Sequence, residues 1–113
     1  MTESYIIEFQ KRLDRRGNLT FLQYPDNIPF EIKNIYWSYD IPGGIDQSGY
    51  ELYTNEEVII SLSGSFDIVV IYPNNKEERY YMNRTYYGLY VPSNAFRHLE
   101  NFSTNSVALH ISN

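Results

Sequence analysis

The stretch Ile41–Asp67, IPGGIDQSGYELYTNEEVIISLSGSFD, decides how the rest of the chain is read. It opens on a Pro-Gly-Gly loop, passes through polar residues, turns apolar from Glu57 to Leu62 and ends at Ser63-Gly64-Ser65. An apolar run this short, bounded by turn residues and rich in isoleucine and valine, reads as a strand rather than a helix. With Phe66 to Tyr72 it is expected to form a hairpin, Gly64 supplying the positive φ of a tight connection.

The same grammar extends in both directions. Upstream, Tyr5 to Phe9 reads as a short strand, the polar run Lys11 to Asn18 as a connection, and Leu19 to Tyr24 as a second strand. Pro25-Asp26-Asn27 turns the chain, with proline suited to the first central position of a type I turn. Ile35 to Asp40 is a third, aromatic-rich strand. Downstream, a second hairpin crosses Pro73-Asn74-Asn75-Lys76 into Glu77 to Met82, where Glu77, Glu78 and Arg79 mark a solvated edge that discourages further pairing. Tyr86 to Val91, Phe96 to Phe102 and Val107 to Ile111 complete eight to ten strands. No 3.6-residue period lasts, so the expectation is an all-β sandwich or barrel in a single domain spanning residues 1–113.

Composition agrees and narrows the partners. Aromatic residues make up 17% of the chain, with twelve tyrosines and six phenylalanines, types that favour strands and build walls that are apolar with a polar tip. The net charge of −5 opposes the phosphate backbone of nucleic acid, so no nucleic-acid partner is expected. The chain has no cysteine, which removes disulfides and thiolate-bound metals and leaves the compartment unmarked by redox chemistry. Charges from Glu3 to Arg16 interrupt any signal-peptide core and no apolar run reaches the length of a membrane span; a cytoplasmic protein is the default.

The spacing inside Ile41–Asp67 resembles the first motif of the cupin β-barrels, in which Gly, two His one residue apart, a Glu and a second Gly recur at fixed offsets. Here Gly44, Tyr50, Leu52, Glu57 and Gly64 occupy the frame, with five, one, four and six residues between them. In the second motif Pro92, Asn94, Arg97 and Asn101 take the places of Pro, Gly, His and Asn. Tyr50, Leu52 and Arg97 therefore stand in all three histidine positions. A cation beside a permanent guanidinium is unfavourable, so no metal and no cofactor are expected.

A longer resemblance is carried by FEIKNIYWSYDIPGG, EEVIISLSGSFDIVV, YYGLYVP and LENFSTNSVALHIS, with Arg16-Gly17-Asn18-Leu19 matching an early Arg-Gly-x-Leu motif. From about Leu13 to Ser112 the chain is similar to the WxcM-like sugar 3,4-ketoisomerases, metal-free cupins of deoxysugar biosynthesis. The resemblance implies an all-β, cupin-type jelly-roll barrel and a homodimer that exchanges its N-terminal strand, near Tyr5 to Phe9. It also implies a dTDP-linked 4-keto-6-deoxyhexose as substrate, whose carbonyl moves from C4 to C3.

That reaction takes a proton from C3 and returns one to C4, and imidazole, with an ordinary pKa of about 6.5, does either near neutrality. The family's pair lies in a Gly-His-Ala-His run, aligned here with Gly49-Tyr50-Glu51-Leu52. Leu52 transfers no proton. Tyr50 is the candidate catalytic group, but its ordinary pKa of about 10 has to fall to about 7, a cost of about 4 kcal/mol, which Arg97 is placed to offset in part. His98 is a second candidate, although alternation from Arg97 turns it outward. His110 stands where the family has an aliphatic residue, and which face of its strand it occupies is open.

The residues expected nearest the substrate are Arg16, Tyr36, Tyr50, Tyr90 and Arg97. Arg16 is either a pyrophosphate grip or a solvated turn charge. Arg97, in an inward slot, meets either Glu57 or a ligand anion. Tyr36 and Trp37 are consecutive in a strand, so one lines the cavity and the other packs outside. Three functions remain open: a nucleotide-sugar isomerase, a catalytically inactive sugar-nucleotide-binding module, and a dimerisation domain.

Overall fold

The computed structural model describes residues 3–42, 47–52 and 55–113, the strand at 47–52 by its backbone alone. Within them run eleven strands: β1 (Tyr5–Glu8), β2 (Lys11–Asp14), β3 (Gly17–Thr20), β4 (Asn34–Ser38), β5 (Gln47–Leu52), β6 (Glu57–Ser63), β7 (Phe66–Ile71), β8 (Glu77–Met82), β9 (Tyr87–Val91), β10 (Phe96–Glu100) and β11 (Val107–Ser112). A five-stranded sheet in the order β1-β9-β6-β11-β4 faces a four-stranded sheet in the order β5-β10-β7-β8, and β2-β3 form a separate ribbon. Every pairing is antiparallel. This is the all-β jelly-roll barrel the sequence implied.

The core follows from strand alternation. Ile59, Leu89, Val91 and Ala108 of the larger sheet pack against Phe66, Ile68, Val70 and Leu99 of the smaller one. Val58, Ile60, Tyr90 and Ile111 point the other way, where Phe9, Ile28 and Phe30 cover them. Strand β6 is thus buried on both faces, which explains its unbroken apolar run. At Gly88 a Cβ would lie 2.8 Å from both the Phe9 ring and Val58, so glycine lets the N-terminal segment sit flat on β9.

Four local expectations are corrected. β6 and β7 do not form a hairpin: β6 pairs with β9 and β11, while β7 pairs with β8 and β10. The Ser63-Gly64-Ser65 turn instead carries the chain from one sheet to the other. Gly64 has φ of 70°, and a Cβ there would meet Ser103 Oγ at 2.6 Å and Ser106 Oγ at 2.7 Å. Around it Ser61 Oγ donates to Gly64 O at 2.8 Å, and Ser65 O accepts from Ser103 N and Ser106 Oγ. The Lys11 to Asn18 connection is itself the β2-β3 ribbon, and the strand expected from Leu19 to Tyr24 starts at Gly17 and ends at Thr20. The turn at Pro25 is wider than type I. Asn27 N donates to Gln23 O across four residues, Asn27 Oδ1 accepts from Gln23 N, and the Tyr24–Pro25 bond is cis.

Elsewhere expectation and structure agree. β7 and β8 form the hairpin across residues 73–76, with Asn75 at φ 65°. Strand β8 ends its sheet as a charged edge. Gly43 and Gly44 of the Pro-Gly-Gly loop lie outside the described residues.

Candidate functional site between the two sheets

Glu57 opens β6, and because Val58 and Ile60 face outward its side chain falls on the inner face with Ile59. Two strands beside it supply the groups that meet it. His110 of β11 lies in register with Ile59 on one side and Tyr36 of β4 on the other. Tyr36 donates its hydroxyl to Glu57 Oε2 at 2.6 Å, and His110 Nδ1 lies 3.2 Å from Oε1. The Tyr36 and His110 rings stack with centroids 4.5 Å apart and planes 8° from parallel. From the opposite sheet Arg97 brings Nη1 to 3.7 Å from Oε1, while its Nη2 donates to Pro92 O at 3.0 Å and Ala95 O at 3.2 Å.

Glu57 is 3% exposed and Arg97 also 3%. Burial pushes the Glu57 carboxyl up. The hydrogen bond and charge of His110, the Tyr36 hydroxyl and the Arg97 charge together outweigh it, and the carboxyl ends below its ordinary value. The anion is therefore the resident form, and facing an acceptor-only carboxylate His110 carries a proton on Nδ1.

A cavity of about 680 Å³ opens over this group, lined by Asn34, Tyr36, Asn55, Glu57 and Ser112 among others. A carboxylate, a phenol and an imidazole linked in one chain at such a mouth can hold and move a proton. Among the described residues no three His, Asp or Glu side chains gather as a metal-ligand set.

The residues picked from sequence separate. Tyr36 faces inward and Trp37, 57% exposed, outward, as alternation required. Arg97 makes the internal pair with Glu57. Tyr90 lies on the outer face of the larger sheet, stacked on Tyr5 at 4.8 Å, and donates its hydroxyl to Glu56 Oε2 at 2.5 Å. Burial and that bond push its phenol up. It borders a different cavity, of about 410 Å³, with Glu56, Tyr72 and Pro92. His98 is on the reverse face of β10 from Arg97, its Nε2 3.1 Å from Glu100 Oε2, and does not join the cluster. Arg16 sits at the tip of the β2-β3 ribbon, its side chain 91% exposed and held to Asp14 at 3.1 Å. The side chain of Tyr50 lies outside the described residues; its strand pairs with β10 so that Glu51 is opposite Arg97 and Leu52 opposite Phe96.

Sequence reasoning left His110 unplaced. Its strand, Val107-Ala-Leu-His-Ile-Ser112, carries apolar residues on both faces because both are covered, so the pattern has no polar side to read.

Comparison with known proteins points one way. Residues 2–113 match the family described as FdtA, WxcM-like, C-terminal. A TDP-4-oxo-6-deoxy-α-D-glucose-3,4-oxoisomerase of Aneurinibacillus thermoaerophilus is 29% identical over 107 residues, 95% of this chain and 76% of the relative. A 3,4-ketoisomerase structure from Helicobacter canadensis superposes with a TM-score of 0.91 at 31% identity, covering 99% of this chain and 84% of the other. A mutant of the 3,4-ketoisomerase QdtA from Thermoanaerobacterium thermosaccharolyticum, solved with TDP-4-keto-6-deoxyglucose, superposes with a TM-score of 0.89 at 27% identity, covering 99% and 80%.

Proposed function

Because the chain belongs to the FdtA family, WxcM-like C-terminal, we propose that it is a nucleotide-sugar 3,4-ketoisomerase of deoxysugar biosynthesis. Its substrate is a TDP-linked 4-keto-6-deoxyhexose, whose carbonyl it moves from C4 to C3. The observation that carries this reading is the linked group Tyr36–Glu57–His110 under the mouth of the barrel, with Arg97 beside it. Isomerisation needs no redox change: a proton leaves C3, O4 gains one to give the enediol, then O3 gives up its proton as C4 gains one. Proton-handling groups in a partly enclosed polar mouth suit that chemistry.

Tyr36 and Arg97 are the residues we assign to the sugar end, and Tyr50 belongs with them through its position in the motif. Arg16 and Tyr90 stand apart from this cluster within one chain, so we give them no part in the proton transfers. The homodimer belongs to the same proposal. It is supported by Ile35, Trp37 and Tyr39 on and beside edge strand β4 and by Leu13 and Leu19 on the ribbon, all more than half exposed. Here β1 pairs with β9 of its own chain, and exchange of that strand would make the same bonds to a second copy. A cytoplasmic location is the expectation that goes with a nucleotide-sugar substrate.

Incubation with TDP-4-keto-6-deoxyglucose, followed by proton NMR, tests the activity; a 3-keto product is expected. An unchanged sugar alongside measurable TDP binding by calorimetry favours a binding module instead.

A further inference from the structure

We propose that His110 is the acid–base residue of this chain, exchanging a proton with the sugar through Nε2 while Glu57 holds Nδ1 and Tyr36 fixes the plane of the ring. The inference rests on the isomerase reading and supplies what that reading lacks, since Tyr50 and Leu52 stand where the resemblance puts a histidine pair.

Of the two histidines in the chain, one is excluded by geometry. His98 lies on the outer face of its sheet against Glu100. His110 lies inside, and its two ring nitrogens are treated differently. Nδ1 is anchored at 3.2 Å from a carboxylate held in its anionic form. No hydrogen bond to Nε2 is found among the described residues, and the side chain keeps 9% exposure next to Tyr36 and Glu57, which line the cavity. An imidazole anchored at one nitrogen and open at the other is the arrangement of a general base. The stacked Tyr36 ring stops it rotating about its own axis, so the lone pair keeps one direction. When Nε2 takes the proton from C3, the positive charge forms beside Glu57, which stabilises it; the same nitrogen, its proton exchanging with solvent, then delivers one to C4.

The alternative group is the Tyr50 phenol, and pH separates the two. Among the described residues the charged and titratable side chains gathered around His110 and its carboxylate partner are Tyr36 on β4, Glu57 on β6 and Arg97 on β10. The backbone of β5 pairs with β10, Glu51 lying opposite Arg97.

The test is the initial rate of TDP-4-keto-6-deoxyglucose isomerisation in D2O against pH, for the wild type, His110→Gln and Glu57→Gln, with TDP affinity measured beside each. The expected wild-type rate climbs through the imidazole range, and deuterium enters at C4. His110→Gln is expected to lose about 10²- to 10⁴-fold in rate with TDP affinity kept. Glu57→Gln, which removes the anion that favours the imidazolium, should move the climb to lower pH and reduce the plateau. A His110→Gln enzyme that keeps its rate, or a wild-type rate that climbs only in the phenol range near about 10, overturns the role of His110 and leaves the isomerase reading standing. Should His110→Gln fail to fold, the wild-type profile decides alone. Wild-type protein that binds TDP and forms no 3-keto product overturns both.

Discussion

Glu57 is the residue on which the interior electrostatics turn, since it accepts from Tyr36 and His110 and is the counter-charge of Arg97. Truncating one member of a buried ion pair leaves the other uncompensated, at a typical cost of about 3–5 kcal/mol. Glu57→Ala is therefore expected to lower unfolding free energy in urea by that order, and a loss under 1 kcal/mol would mean that Arg97 finds a new partner. The carboxyl also gives stability a pH dependence. Its folded pKa lies below the ordinary 4.5, so the folded state binds fewer protons than the unfolded state across that window. The contribution is complete above 4.5 and is lost as pH falls through the folded value. Glu100 is held low as well, by Arg79, so the comparison has to be with Glu57→Gln. Between pH 7 and pH 3 the wild-type Tm should fall further than that of the variant, and parallel curves would contradict the linkage.

Among the elements, the corner at Gly64 separates what is local in the sequence from what is not. That a turn occurs at Ser63-Gly64-Ser65 was legible, because glycine with positive φ follows from the residues themselves. That the turn changes sheets was not, because this depends on β9 and β11 arriving from later in the chain to flank β6. The ribbon β2-β3 escaped notice for a different reason: Leu13 and Leu19 are 74% and 57% exposed, so no buried face marks the strands. For the site, Arg97 and Glu57 were readable from motif spacing and alternation narrowed the cavity wall to Tyr36 or Trp37, whereas His110 lies in a strand apolar on both sides. The corner carries its own prediction. Gly64→Ala places a Cβ in the left-handed region and against Ser103 and Ser106, which costs at least about 1–2 kcal/mol from backbone alone. A Tm lower by about 4–8 °C per kcal/mol is expected, and an unchanged Tm would mean that the serine cluster can open without loss.

At the scale of the whole molecule, the exposed apolar band along β4 is what a homodimer would cover. Light scattering is expected to give twice the 13.4 kDa chain mass, and Ile35→Glu, which puts a charge on that band, to return the single mass. A dimer indifferent to Ile35→Glu would place the contact elsewhere, and deletion of the first ten residues then tests strand exchange. The band also holds the chain's one tryptophan, one residue along the strand from Tyr36. Trp37 is thus an optical probe that nature has already installed, its indole 57% open to water on one side of β4 while its neighbour reaches Glu57 on the other. Fluorescence excited at this single site should be red-shifted and readily quenched by acrylamide in dilute solution. It should turn blue and grow resistant to the quencher as concentration drives copies together. Titrating TDP-sugar at fixed concentration would then show whether events at the mouth of the barrel are felt on the strand's far face.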